Sequence, residues 1–160
     1  DRAAYIRYAR SRDVDGSSGP AGYIRWGDQI YSYLGNEQVY VCPSNPSAVF
    51  VKNTRDAYFG FGMNYWLTYY YYYLSLASIK KPSETIWFAD CNYYVVYPTY
   101  YMWTYPTNTT YGLTGTARLQ LRHNSGVNLA FVDGHANWLQ RDVIESDRGL
   151  ETASKFWWGR

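Results

Sequence analysis

The segment from residue 118 to residue 139 constrains the fold most strongly, because apolar and polar side chains alternate along it. Residues 118–122 and 127–132 each carry leucine, valine or phenylalanine at every second position. A period of two is that of a β-strand with one buried face. The sequence therefore predicts an antiparallel pair of strands here, with residues 136–139 returning as a third strand.

A tight turn is predicted between the last two of these strands, at Asp133-Gly134. Asp-Gly favours a type I′ turn, in which the glycine takes a positive φ at little cost. A metal site built from His123, Asp133 and His135 is the competing interpretation, since imidazole and carboxylate are good ligands. Their spacing is not that of a known zinc site. We therefore expect His123, Asp133 and Gly134 to shape the closing hairpin, and we predict no metal and no cofactor.

Other elements are predicted from local patterns. Helical spacing appears in residues 1–12 and again in 26–34, where Gly35-Asn36 ends the helix. Short strands are expected at residues 39–42, within the Tyr-rich stretch 58–76 and at 86–89, and residues 93–111 are expected to form a hairpin or a surface insertion.

Length and charge narrow the class of protein. A chain of 160 residues and 18.7 kDa suits one domain, which we divide into an N-terminal helix and linker (1–25), a core (26–140) and a tail (141–160). A net charge of +2 gives no broad electrostatic surface for nucleic acid. No apolar stretch approaches the roughly 18 residues that cross a bilayer. Neither a nucleophile elbow nor a phosphate loop appears, so we expect no enzyme.

The aromatic content is unusual, with 20 Tyr, 7 Trp and 6 Phe. One core of this size does not need so many rings, and Tyr and Trp are enriched on surfaces that bind partners. A Tyr-rich solvated sheet face, contact between subunits, and stacking on sugar rings remain open as explanations. The residues that we predict to form an assembly interface are Tyr69, Tyr70, Tyr71, Tyr72, Tyr73, Tyr100, Tyr101, Trp103, Phe156, Trp157 and Trp158.

Two cysteines, Cys42 and Cys91, are too far apart in sequence for a CxxC motif. If the chain is exported, an intramolecular disulfide is the expected pairing, and two unpaired thiols are the alternative. Asn108 begins a formal glycosylation sequon, which makes it a candidate site for attached sugars.

A set of short motifs in a fixed order resembles the prepilin-type proteins named for their H-X9-DG domain. His123 is followed by nine residues and then by Asp133-Gly134. The other motifs similar to that family are Tyr31-Ser32-Tyr33-Leu34-Gly35-Asn36, Val41-Cys42-Pro43-Ser44, Gly62-Met63-Asn64-Tyr65, Pro82-Ser83-Glu84-Thr85, Phe88-Ala89-Asp90, Arg122-His123-Asn124 and Phe131-Val132-Asp133-Gly134-His135. Together they extend over about residues 26 to 140.

This resemblance implies an exported bacterial protein of α+β class, with a pilin-like fold in which an N-terminal helix packs on an antiparallel sheet. The sequence departs from the family by beginning at Asp1, without the family's apolar N-terminal helix, and we expect a processed or truncated product. We therefore expect a structural subunit of an extracellular filament at the bacterial cell surface, a helical homopolymer joined through aromatic-rich surfaces. A secreted carbohydrate-binding or adhesive module, with glycans as partners, is the alternative.

Overall fold

The computed structural model of the chain describes residues 26–45, 48, 50, 60–68, 75–97, 107 and 118–146. These residues form an α+β arrangement in which a five-stranded mixed sheet carries a few short helices. The helices are α1 (Trp26–Leu34), α2 (Tyr65–Thr68) and α3 (Arg141–Glu145), with 3-10 helices at Glu37–Tyr40 and Leu76–Ser78. The strands are β1 (Phe61–Asn64), β2 (Ile86–Asp90), β3 (Val95–Val96), β4 (Gly126–Phe131) and β5 (Ala136–Gln140). The helix predicted at residues 1–12 lies outside the described residues. No described helix is long and apolar enough to cross a membrane.

The strands are ordered β3-β1-β2-β4-β5, so β2 lies in the middle of the sheet. β2 pairs antiparallel with both β1 and β4, but β3 pairs parallel with β1. The prediction of a wholly antiparallel sheet is therefore wrong for this one pair. The four residues after β2 lead the chain across to the far edge of β1, and a Cβ at Gly62 would lie 2.8 Å from the Val95 carbonyl carbon. Glycine at this position allows the close approach.

The C-terminal hairpin forms as predicted between β4 and β5, with Val127 opposite Leu139. The prediction that residues 118–122 form the strand next to β4 is wrong. β2 occupies that edge of β4, with Ala89 opposite Leu129, and Leu119 makes only an isolated bridge to Cys91. Alternation identified the buried face of this segment, since Leu119 is buried, but it could not identify the partner strand.

The turns differ from the predicted type. Asn124 and Ser125 both have positive φ, 51° and 58°, and lie between the bridged residues His123 and Gly126, as in a two-residue type I′ hairpin. At the predicted site the loop has three residues instead: the Gly134 N–H donates to the Phe131 carbonyl, and only the glycine has a positive φ, 95°. A turn followed by a left-handed residue is the usual form of a three-residue hairpin loop.

Helix α1 packs on one face of the sheet. The Trp26 ring lies 4.8 Å from that of Phe88, and its indole N–H donates to the Tyr94 carbonyl. Gly35, with φ of 63°, ends the helix as predicted. Tyr33 is 87% exposed, so this residue lies on the solvent side of α1. The buried side of α1 instead begins with Trp26 and Gly27 and continues through the partly buried Ile30.

The segment after α1 is a 3-10 helix, so the strand predicted at residues 39–42 is wrong. The Asn36 side chain caps this helix by accepting from the Gln38 N–H. The Tyr40 ring stacks on Phe50 and its hydroxyl donates to the Gly27 carbonyl, which fixes the turn against α1. Tertiary contacts of one buried tyrosine therefore outweigh the β propensity of the flanking valines.

The opposite face of the sheet carries the larger apolar cluster. Strands β2 and β4 supply most of its residues, and Ile144 of α3 packs against them. The buried members are Trp66, Ile86, Ala89, Cys91, Val96, Leu119, Val127, Leu129, Phe131 and Ile144.

The assignment of a type I′ turn can be tested at Ser125, one of its two residues with positive φ. A left-handed conformation costs a residue with a Cβ about 1–2 kcal/mol, and glycine avoids most of this cost. Ser125→Gly is therefore expected to raise the free energy of unfolding in urea by about 0.5–1 kcal/mol. Ser75→Gly is the matched control: its φ is −69°, so the same change should lower stability. Equal losses in both variants would contradict the assigned turn.

Candidate functional site

Three side chains from distant parts of the chain meet at one end of the sheet. Cys42 Sγ lies 3.5 Å from His123 Nε2, and the same nitrogen lies 3.6 Å from Asp90 Oδ2. One ligand atom from each residue lies within 4.8 Å of the other two. Among the described residues, this is the group of three or more that could hold a metal ion.

Each side chain is positioned by the end of an element. Cys42 follows the 3-10 helix and lies against Gly60, where a Cβ would be 2.4 Å from the Cys42 nitrogen. Asp90 is the last residue of β2. His123 directly precedes the type I′ turn, and its carbonyl accepts a hydrogen bond of 2.8 Å from the Trp138 indole. Three independent backbone constraints therefore converge on this point.

Asp90 is fully buried, with an exposed fraction of 0%. Its Oδ2 accepts from the Asn128 N–H at 2.7 Å, whereas Oδ1 has no hydrogen-bond partner among the described residues. Burial raises the pKa of this carboxyl above its ordinary value of 3.8, opposed first by the Asn128 N–H and then by His123 and Arg122. The folded chain therefore binds the Asp90 proton more tightly than the unfolded chain does. As a result, the free energy of unfolding falls as the pH rises from the unfolded-state pKa of this carboxyl through its higher folded-state pKa.

A polar network surrounds the cluster on one side. The Arg122 guanidinium donates to the carbonyls of Gly60 and Cys91 and to the Asn92 side-chain oxygen. That oxygen also accepts from the Asn45 amide at 3.0 Å. The network joins the loop after Cys42, the end of β2 and the segment before His123.

The arrangement differs from a catalytic relay. In a thiol–imidazole–carboxylate relay, the thiol and the carboxylate contact different ring nitrogens. Here sulfur and carboxylate both face Nε2 of His123, and Cys42 is only 3% exposed. One ligand atom from each of the three residues is therefore close enough to the other two to bind the same ion.

The predicted disulfide is absent, and Cys42 and Cys91 are free buried thiols. Consecutive residues of an extended strand point to opposite faces. Asp90 lies in the group with Cys42 and His123, whereas the next residue, Cys91, belongs to the large apolar cluster, where its thiol donates to the Val95 carbonyl at 3.4 Å. Burial raises the pKa of Cys91 to about 12, which keeps the thiol protonated.

The structure separates the residues of the predicted metal candidate. Asp133 and His135 lie together on the exposed β4–β5 loop, with Oδ1 and Nδ1 2.6 Å apart, and the His135 ring stacks on Phe131. His123 belongs to the other cluster. Gly134 is the left-handed residue of the β4–β5 loop.

The predicted assembly and glycosylation residues lie outside the described residues. They are Tyr69, Tyr70, Tyr71, Tyr72, Tyr73, Tyr100, Tyr101, Trp103, Asn108, Phe156, Trp157 and Trp158.

The convergence of Cys42, Asp90 and His123 was missed from the sequence, although each residue lies in one of the motifs that carry the family resemblance.

No protein-family model matches the chain, and neither a curated protein nor a solved structure matches it.

The absence of the disulfide is testable by counting thiols. Because both cysteines are free, the protein unfolded in denaturant without reductant is expected to react with Ellman's reagent at two thiols per chain. Unfolding is needed because both side chains are buried. A count near zero that rises only after reduction would restore the disulfide.

The exposed pair Asp133 and His135 leads to a prediction about the pKa of Asp133. The His135 side chain, and then its backbone N–H, lower the pKa of Asp133 below 3.8. This carboxylate therefore contributes stability above the unfolded-state pKa of about 3.9, and the contribution is lost as the pH falls through the lower folded-state pKa. In a carbon-detected NMR titration, His135→Ala should raise the Asp133 midpoint, while Asp28→Asn on α1 should leave it unchanged. An unmoved midpoint in His135→Ala would contradict the assigned cause.

Proposed function

We propose that this chain is a pilin-like structural subunit that associates with copies of itself into an extracellular bacterial filament. The ordered motifs between residues 26 and 140 support the class, together with an α+β arrangement in which α1 packs on the sheet. The observation that carries the proposal is the exposed strand at one edge of the sheet.

Strand β5 is the last strand in the described sheet, paired on one side with β4. A strand over a core should bury alternate residues, yet four of its five residues are exposed and the fifth, Leu139, is half-buried. The chain leaves β5 through α3, whose Ile144 packs in the apolar cluster formed by β2 and β4. The edge therefore presents backbone groups with no strand partner among the described residues.

An edge of this kind pairs readily with a strand from another molecule. We infer that the occupant is a segment of a second copy of the chain, added to β5. Donor and acceptor surfaces then differ, and such head-to-tail contacts continue as a helical filament when they do not close into a ring. Exposed apolar side chains beside the edge, Trp138 at 42% and Val143 at 46%, add contact area.

Sugar binding is the second candidate, favoured by two exposed rings. Tyr33 is 87% exposed, and Trp138 lies over Gly126, which supports the indole from beneath. Flat, fixed rings of this kind stack on sugars. The two candidates differ in what covers Trp138: a neighbouring chain in an assembly, or a glycan on an isolated subunit.

Ala136→Lys tests the assembly. A lysine on an edge strand opposes pairing with a second strand, and Ala136 is exposed, so the fold should survive. Ala77→Lys is the matched control, because Ala77 is also exposed but lies in the 3-10 helix outside the sheet. We expect negative-stain images and sedimentation to show filaments for the native chain and Ala77→Lys, and monomers for Ala136→Lys.

Filaments formed equally by both variants would exclude β5 as the contact. If the native chain stays monomeric at all concentrations and binds a glycan array in a Trp138-dependent manner, the sugar-binding candidate replaces the assembly.

A further inference from the structure

We propose that Cys42, Asp90 and His123 bind one zinc ion, a site that goes beyond the assembly function. A thiolate, an imidazole and a carboxylate form a ligand set that zinc accepts, and the sulfur excludes the hard ions magnesium and calcium as preferred occupants.

Two of the three distances between the ligand atoms match those around one tetrahedral ion, and the third, between Cys42 Sγ and the Asp90 carboxylate, is at most 4.8 Å. Bonds of about 2.3 Å to sulfur and about 2.0 Å to nitrogen, at a tetrahedral angle, place those two atoms about 3.5 Å apart. Cys42 Sγ and His123 Nε2 lie 3.5 Å apart. The corresponding nitrogen–oxygen separation is about 3.4 Å, and the Asp90 Oδ2 to His123 Nε2 distance is 3.6 Å. Small side-chain adjustments therefore suffice to bind an ion.

A second observation is independent of these distances. Oδ1 of Asp90 is buried and has no hydrogen-bond partner among the described residues. Leaving a buried acceptor unsatisfied costs about 1–3 kcal/mol, more for a charged group. An ion bound between the three side chains offsets the negative charge of this buried carboxylate, whose Oδ1 has no hydrogen bond to stabilise that charge.

The surroundings hold the ligands in place. The Asn128 N–H orients Asp90 through Oδ2, and the Trp138 indole holds the His123 backbone. The network of Arg122, Asn92 and Asn45 links the three ligand-bearing segments. Outer contacts of this kind orient ligands in metal sites.

Three protein ligands leave a fourth position of the tetrahedron for water or another donor. The role that follows from the placement is a structural cross-link. An ion here joins the loop after the 3-10 helix to the end of β2 and to the β4 hairpin, in a chain whose two thiols form no disulfide.

Binding is tested on the full chain after treatment with a chelator, using zinc alone and cobalt(II) alone as probes. We expect one ion per chain by calorimetry. Cobalt is expected to give a thiolate charge-transfer band and the intense visible bands of a tetrahedral site. The melting temperature should rise with zinc concentration.

Variants assign the ligands. Cys42→Ser should abolish the charge-transfer band, and His123→Gln should weaken binding by more than roughly 100-fold, since even outer-shell partners contribute about 10- to 100-fold. Cys91→Ala and His135→Gln are the matched cysteine and histidine controls and should bind as the native chain does. Circular dichroism verifies that each variant is folded.

Two results would overturn the proposal: a native chain that binds less than one zinc ion at micromolar concentration, or a cobalt complex without a thiolate band. The second measurement needs no variant, so it decides the matter even if Cys42→Ser fails to fold. Because neither readout requires filaments, the zinc site and the assembly can fail separately.

Discussion

Strand β2 is the constraint on which the rest of the described structure depends. It is paired along both edges, so its position in the sheet cannot shift without breaking the pairing with β1 and β4 together. A strand shifted by one residue would exchange all its side chains between the two faces. The fixed register places Phe88 against α1, and Ala89 and Cys91 in the larger apolar cluster.

Elements with strong local signals could be predicted from the sequence. The spacing of apolar residues and the terminal glycine specify α1, and the alternation in residues 127–139 specifies the β4–β5 hairpin. Features that depend on tertiary contacts could not be predicted from the sequence. The alternation at 118–122 gives a buried face but not a neighbouring strand, and the valines around Tyr40 favour a strand until that ring is packed on Phe50. The local β propensity does not determine the structure where a buried tertiary contact contributes more free energy than the propensity does.

The candidate functional residues likewise include a pair that the sequence could predict and a cluster that depends on tertiary structure. Asp133 and His135 are two residues apart on one loop, so their proximity follows from the sequence. Cys42, Asp90 and His123 belong to different elements, and no spacing rule connects them. Their meeting depends on the register of β2 and on the position of the turn at Asn124-Ser125. The same register separates Cys91 from Cys42, which counting cysteines in the sequence could not reveal.

The order in which the cluster residues are synthesised has a consequence for how this chain reaches its folded state. Cys42 and His123 are 81 residues apart, and Asp90 and Asn128 are 38 residues apart. Contacts between such distant residues require closure of large loops, which slows folding. During synthesis the β1–β2 pair lacks its β4 neighbour until the last third of the chain is made. Completion of the N-terminal half therefore waits for the C-terminal hairpin, and folding is coupled across the whole length of the described core.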